Sequence, residues 1–155
     1  MKGTSSTQKG FTLVEAMIVL FIIGIVAAIA TFDFRKMALN GYLKAAARDL
    51  IADFAALKQR AMSENKAYKV EFNDSGDLNT YAIKQKDGTM IQIKTPTIFG
   101  GTRIFSASFG RGKTITFQTR GTASAGNVVL INDRNSTATI TVNFAGRTYV
   151  RFDLK

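Results

Sequence analysis

The sequence predicts an α+β protein: a long N-terminal α-helix, its first half membrane-spanning, packed on an antiparallel β-sheet or sandwich domain. Three observations carry this. The first is a nearly uncharged apolar run, "FTLVEAMIVLFIIGIVAAIATF", from Phe11 to Phe32. The second is a stripe at Leu43, Ala47, Leu50, Phe54, Leu57 and Ala61, spaced 4, 3, 4, 3 and 4, which puts all six on one helical face. The third is a change to period two after Asn65, with turn signals between short β-branched segments.

Residues 1–10, "MKGTSSTQKG", are polar and carry Lys2 and Lys9, a positive leader ahead of an apolar segment. The small residues "AAIA" at Ala27–Ala30 offer a secretory cleavage site that would discard the run. Two features oppose that reading. The uncharged run Ala16–Phe32 is longer than most signal-peptide apolar cores, and with Phe11–Val14 it approaches the ~20 residues that cross a bilayer. Helical patterning then continues into Phe34–Asn65, which is rich in Ala, Leu, Lys and Arg. Gly24 is the only helix-weakening residue in the run, and the one proline is Pro96. Phe11 to about Glu64 therefore reads as one helix ~80 Å long at about 1.5 Å per residue. Gly41 is the place for a bend, and a membrane anchor followed by a separate helix differs only in where the chain bends. The expected boundaries are a leader at 1–10, a membrane or filament-core half at 11–34, an amphipathic half at 35–65 and a β domain at 66–155.

Seven segments alternate or are β-branched: Ala67–Phe72, Thr80–Lys84, Met90–Lys94, Lys113–Gln118, Asn127–Asn132, Ala138–Phe144 and Thr148–Asp153. Turn signals "DSG", "KDG", "FGG", "FGRG", "RGTASAG", "DRNS" and "AGR" separate them. The expectation is a largely antiparallel domain of about six to eight strands, the last pair a hairpin through Ala145-Gly146-Arg147.

Composition narrows the chemistry. Of 155 residues, 21 are Lys or Arg and 11 Asp or Glu, a net charge of +10 that suits anionic partners or simply a solvated surface. The second half is the basic half: Ala82–Lys155 holds eleven Lys and Arg against three Asp and Glu. With no cysteine or histidine, common zinc sites and Cys–His nucleophile pairs are excluded, and the domain must hold itself by packing. Asp74 and Asp77, in "NDSGDLN", are too sparse for a calcium cage and read as a turn. No cofactor or metal is expected.

Glu15 is the anomaly. A carboxylate inside a bilayer is expensive, less so near its edge. The stretch offers no cationic side chain to balance it. Cleavage after Gly10 would give Phe11 a new α-amino group. In a neighbouring copy, that amine can meet Glu15 where water is excluded, and the pairing would set the stagger between packed helices.

"KGFTLVEAMIVLFIIGIVAAIA" resembles the class III signal of type IV pilins and type II secretion pseudopilins. The resemblance implies that a prepilin peptidase cuts between Gly10 and Phe11 on the cytoplasmic side. It also implies that Phe11 is N-methylated and that Glu15 directs assembly. "LIADFAALKQRAMSENKAYKVEF" and the terminal "ATITVNFAGRTYVRFDLK" resemble the helix-to-strand junction and closing hairpin of the GspH/FimT group of minor pseudopilins and minor pilins. This second resemblance implies a single-pass subunit held by inner-membrane lipid, its globular domain periplasmic, that joins other pilin or pseudopilin subunits in a filament. Two features depart from many relatives. Phe32 stands where many pilins have proline, and no cysteine closes the C-terminal loop.

Some relatives of the FimT type bind DNA through a Gly-Arg-x-Arg element. Here Gly146-Arg147-Thr148-Tyr149 lacks the second Arg; Arg151 comes two residues later, and Lys155 ends the sequence. On a strand Arg147, Tyr149, Arg151 and Asp153 share one face, fit either to grip phosphate and stack a base or to protect an edge by charge. A tethered enzyme is the remaining class. No nucleophile stands at a recognisable spacing from a base, and Gly110-Arg111-Gly112-Lys113 lacks the first glycine and the Ser/Thr-to-helix context of a phosphate loop.

Overall fold

The computed structural model describes residues 11–73, 79–95, 101–110 and 112–155, with the backbone alone over 30–34. The leader with Gly10, the turn with Asp74 and Asp77, Pro96 and Arg111 lie outside the described residues, as does the side chain of Phe32.

Among the described residues one helix, α1, runs Leu13–Ser63 over 51 residues, then eight strands come after it. The chain divides into two units, 1–35 and 36–155. In the first, the helix is apolar on every side. In the second, Leu43, Ala46, Ala47, Leu50, Phe54, Leu57 and Ala61 are buried, so the expected stripe is the face that packs. Helical hydrogen bonding continues through Gly41, where a bend had been allowed for. The helix ends one residue before the expected Glu64; Asn65 takes φ 51° and turns the chain into the first strand.

The strands are β1 Tyr68–Asn73, β2 Thr80–Gln85, β3 Met90–Lys94, β4 Arg103–Phe109, β5 Thr114–Phe117, β6 Gly126–Ile131, β7 Thr137–Val142 and β8 Thr148–Asp153. They form two four-stranded antiparallel sheets, ordered β3-β2-β1-β5 and β4-β6-β7-β8. β4 is the strand that the sequence pattern does not announce. A register shift between Ile104 and Ser106 puts Phe105 in a bulge, 62% exposed, so the apolar positions Ile104, Ala107 and Phe109 lose strict alternation.

Phe54 joins the layers. Its ring lies 6.3 Å from Phe72 and 5.7 Å from Phe117, both on the first sheet. Phe72 in turn stacks on Phe109 of the second sheet at 5.7 Å. The described buried core residues all fall between Leu43 and Val142, within Lys36–Lys155.

Asn132, fully buried, closes the β6–β7 turn and ties it to the helix. Its Oδ1 accepts the N–H groups of Arg134 and Ser136, each at 3.0 Å, while its Nδ2 donates to Leu39 O and Asn40 Oδ1. The C-terminus is fastened beside it. Lys155 N–H donates to Ser136 Oγ at 2.9 Å, and Asn40 Nδ2 donates to Lys155 O at 3.3 Å.

Candidate functional site

The helix start is built by Thr12. Its Oγ1 accepts the Glu15 N–H at 3.2 Å and its carbonyl accepts the Ala16 N–H at 3.2 Å, a side-chain N-cap of the sort worth about 1 kcal/mol. The spacing Thr12-x-x-Glu15 is that of a capping box, and it places Glu15 in the first turn, where negative charge favours the helix dipole by about 0.3–1 kcal/mol. This second, local reason for an acid at position 15 was readable in "TLVE". Phe11, 82% exposed, lies just outside the helix.

Beyond Glu15 the large apolar side chains from Met17 to Ile29 are all at least 47% exposed. No described residue of the unit buries them. Among the described residues no helix is long and apolar enough to cross a membrane. The described side chains of this run end at Ile29, short of the ~20 residues a span needs. Among the described residues no ion pair involves Glu15. The chain thus presents an acid at the head of a helix whose large described apolar side chains are exposed.

The second candidate lies on the last hairpin. The turn between β7 and β8 is closed by Asn143, whose N–H donates to Arg147 O at 3.0 Å and whose Oδ1 accepts the Arg147 N–H at 2.9 Å. Gly146 at φ 66° is required there: a Cβ would meet Gly121 O at 2.6 Å. Lys58 Nζ donates to Ala145 O at 2.9 Å and Gly146 O at 3.2 Å, holding the turn to α1; no periodicity in the sequence points to this clamp. Arg147, Tyr149, Arg151 and Asp153 are all exposed, as the alternation requires. In register, Tyr149 faces Thr141, Arg151 faces Thr139 and Asp153 faces Thr137. Lys155 lies beyond the strand end, its backbone tied down and its side chain exposed. The strand therefore groups Arg147, Tyr149 and Arg151 on one face, with Asp153 as an acid at the far end.

Two other candidates resolve as structure. Phe109 and Gly112 exchange backbone hydrogen bonds of 2.8 and 3.1 Å, and Lys113 leads into the strand β5, where a phosphate loop would lead into a helix. A cavity of about 470 Å³ is lined by Asp49, Asp53, Tyr81 and Lys94 among others, but Asp53 is already engaged. It accepts from Lys94 Nζ at 2.5 Å and Tyr81 Oη at 2.7 Å. Burial, then this bond, pushes the Tyr81 hydroxyl far above its ordinary range. Among the described residues no three acids gather as metal ligands.

Comparison with known proteins respects the same division. Residues 5–31 match the prokaryotic N-terminal methylation motif, and residues 46–146 match the family of the type II transport protein GspH. A fimbrial protein of Pseudomonas aeruginosa is 33% identical over 104 residues, covering 57% of this chain and 68% of that protein. The minor pseudopilin EpsH of the Vibrio cholerae type 2 secretion system superposes with a TM-score of 0.57 at 10% identity, over 71% of this chain and 96% of its own. The type IV minor pilin FimU of P. aeruginosa gives a TM-score of 0.57 at 14% identity, over 72% and 90%. At such identities these two structures share the fold.

Proposed function

From a chain that belongs to the GspH family of type II transport proteins, and that carries the N-terminal methylation motif, we infer an assembly subunit of a type IV pilus or type II secretion pseudopilus. It acts by packing, with no reaction of its own. A prepilin peptidase removes residues 1–10 by cutting between Gly10 and Phe11, and the freed Phe11 amine is methylated. Phe11–Phe32 holds the subunit in the inner membrane, with Lys36–Lys155 in the periplasm. The same apolar residues then leave lipid for the filament core.

The observation that carries this reading is the exposed apolar helix headed by Glu15. An apolar surface of that extent is stable only in lipid or against other apolar helices. In the second setting, Glu15 of one subunit neutralises the Phe11 amine of another, and neither charge is left alone away from water. Mass spectrometry of the mature chain tests the first step: the N-terminus is N-methyl-Phe11 in the wild type, while Gly10→Val retains residues 1–10. An unchanged mature mass in Gly10→Val would move the cut elsewhere.

A second reading, DNA capture, is favoured by one observation: Arg147, Tyr149 and Arg151 are exposed on a single strand face. Duplex DNA binding by Lys36–Lys155 would then fall steeply with salt, by a log–log slope of about −0.9 per phosphate neutralised, and Arg147→Ala with Arg151→Ala would flatten it by about two such contacts. Salt-independent or absent binding rejects it.

A further inference from the structure

We propose that the free edge of β8 takes an extended segment of another protein, with alternating apolar and acidic side chains, as a fifth strand of the β4-β6-β7-β8 sheet. Among the described residues β8 is the last strand of that sheet and pairs only with β7. The Asn143 N–H to Arg147 O bond sets the phase of the ladder. By alternation Tyr149, Arg151 and Asp153 turn their backbone groups to β7, while Thr148, Val150 and Phe152 turn theirs to the free edge.

That edge borders an open groove with both apolar and polar lining. A cavity of about 470 Å³ lies between α1 and the hairpin, lined by Ile51, Ala55, Lys58, Gln59 and Met62 on the helix side and by Gly146 and Thr148 on the other. Ile51 and Phe152 pack against the core but are only partly covered, and Val150 and Met62 are 39% and 47% exposed. The core is thus open along β8. An added strand satisfies both deficits: its backbone pairs with the edge, and alternate side chains cover Ile51, Ala55 and Met62.

Charge decides what the other side chains are. They fall on the outer face beside Arg147 and Arg151, which enter no ion pair among the described residues. Opposite charges across neighbouring strands attract, so acids belong at those positions. A second copy of this chain fits poorly. Its other edge strands among the described residues, β3, β4 and β5, read "MIQIK", "RIFSASF" and "TITF" and offer no acid, and each copy carries +10. Nucleic acid would use the arginines but leave the backbone edge and the apolar floor unfilled. The groove belongs wholly to Lys36–Lys155.

The test titrates Lys36–Lys155 with three fluorescent probes: a peptide of alternating Val and Glu long enough to pair the six residues of β8, a Val–Lys peptide, and a duplex DNA oligonucleotide. The Val–Glu peptide is expected to bind, the Val–Lys peptide not, and hydrogen exchange at Thr148, Val150 and Phe152 to slow in the complex. Val150→Pro removes one free-edge N–H and no ladder bond, and should weaken binding about tenfold or more. Should that variant fail to fold, Arg147→Glu with Arg151→Glu keeps the edge and should switch the preference to the Val–Lys peptide. No binding of the Val–Glu peptide, binding indifferent to the charge reversal, or binding of DNA alone would each overturn the proposal.

Discussion

Glu71 sits between two lysines. Its carboxylate is bonded by Lys84 and lies 2.9 Å from Lys69, and Lys69 faces Lys84 directly across β1 and β2. The acid therefore separates like charges that would otherwise oppose each other. The bond from Lys84, then that from Lys69, holds its pKa below the ordinary 4.5. A folded-state pKa below the unfolded one means that the unfolded chain binds protons first as pH falls. The stability from Glu71 is whole above the unfolded pKa and is lost as pH falls through the lower folded value. Acid unfolding of Lys36–Lys155 should thus be shallower in Glu71→Gln, which has no proton to take up. An identical acid limb in the two proteins would deny Glu71 any part in acid unfolding. Single residues also mark where sequence reading stops. Glu15 is conspicuous because a charge breaks an apolar run, whereas the clamps made by Asn132 and Lys58 join positions about ninety residues apart and leave no local pattern.

Elements were legible in proportion to their periodicity. The stripe from Leu43 to Ala61 is buried residue for residue because a 3.6 period admits one packed face. β1, β2, β5 and β7 alternate and were visible for the same reason, while β6, with Leu130 and Ile131 both buried, was visible as a β-branched run. β4 was hidden by its bulge and by the glycines at both ends. Gly41 gives a sharp element-scale prediction. A Cβ there would meet nothing within 4 Å, and the helix runs on through it. Gly41→Ala should then raise the stability of Lys36–Lys155 in urea by about 0.5–1 kcal/mol, the difference in helix propensity. A loss of stability would show that the chain needs a bend at this position.

At the scale of the whole chain, two kinds of surface coexist: a unit with its own core and a helical stretch whose large described apolar side chains are exposed. The sequence marks a change of composition, since lipid-like residues stop near Phe32 and charged ones resume at Asp33. It announced far less about partners, because a net charge of +10 suits several anionic surfaces and the edge that β8 presents depends on strand order. The proposed role of the subunit rests on Glu15 serving assembly, by pairing with an amine on another subunit, while processing proceeds without it. The direct measurement is the fraction of Glu15→Leu found in sheared filaments, set against the fraction cleaved after Gly10. Normal cleavage with filament incorporation lost is the expected result. Normal incorporation of the cleaved variant would contradict the pairing.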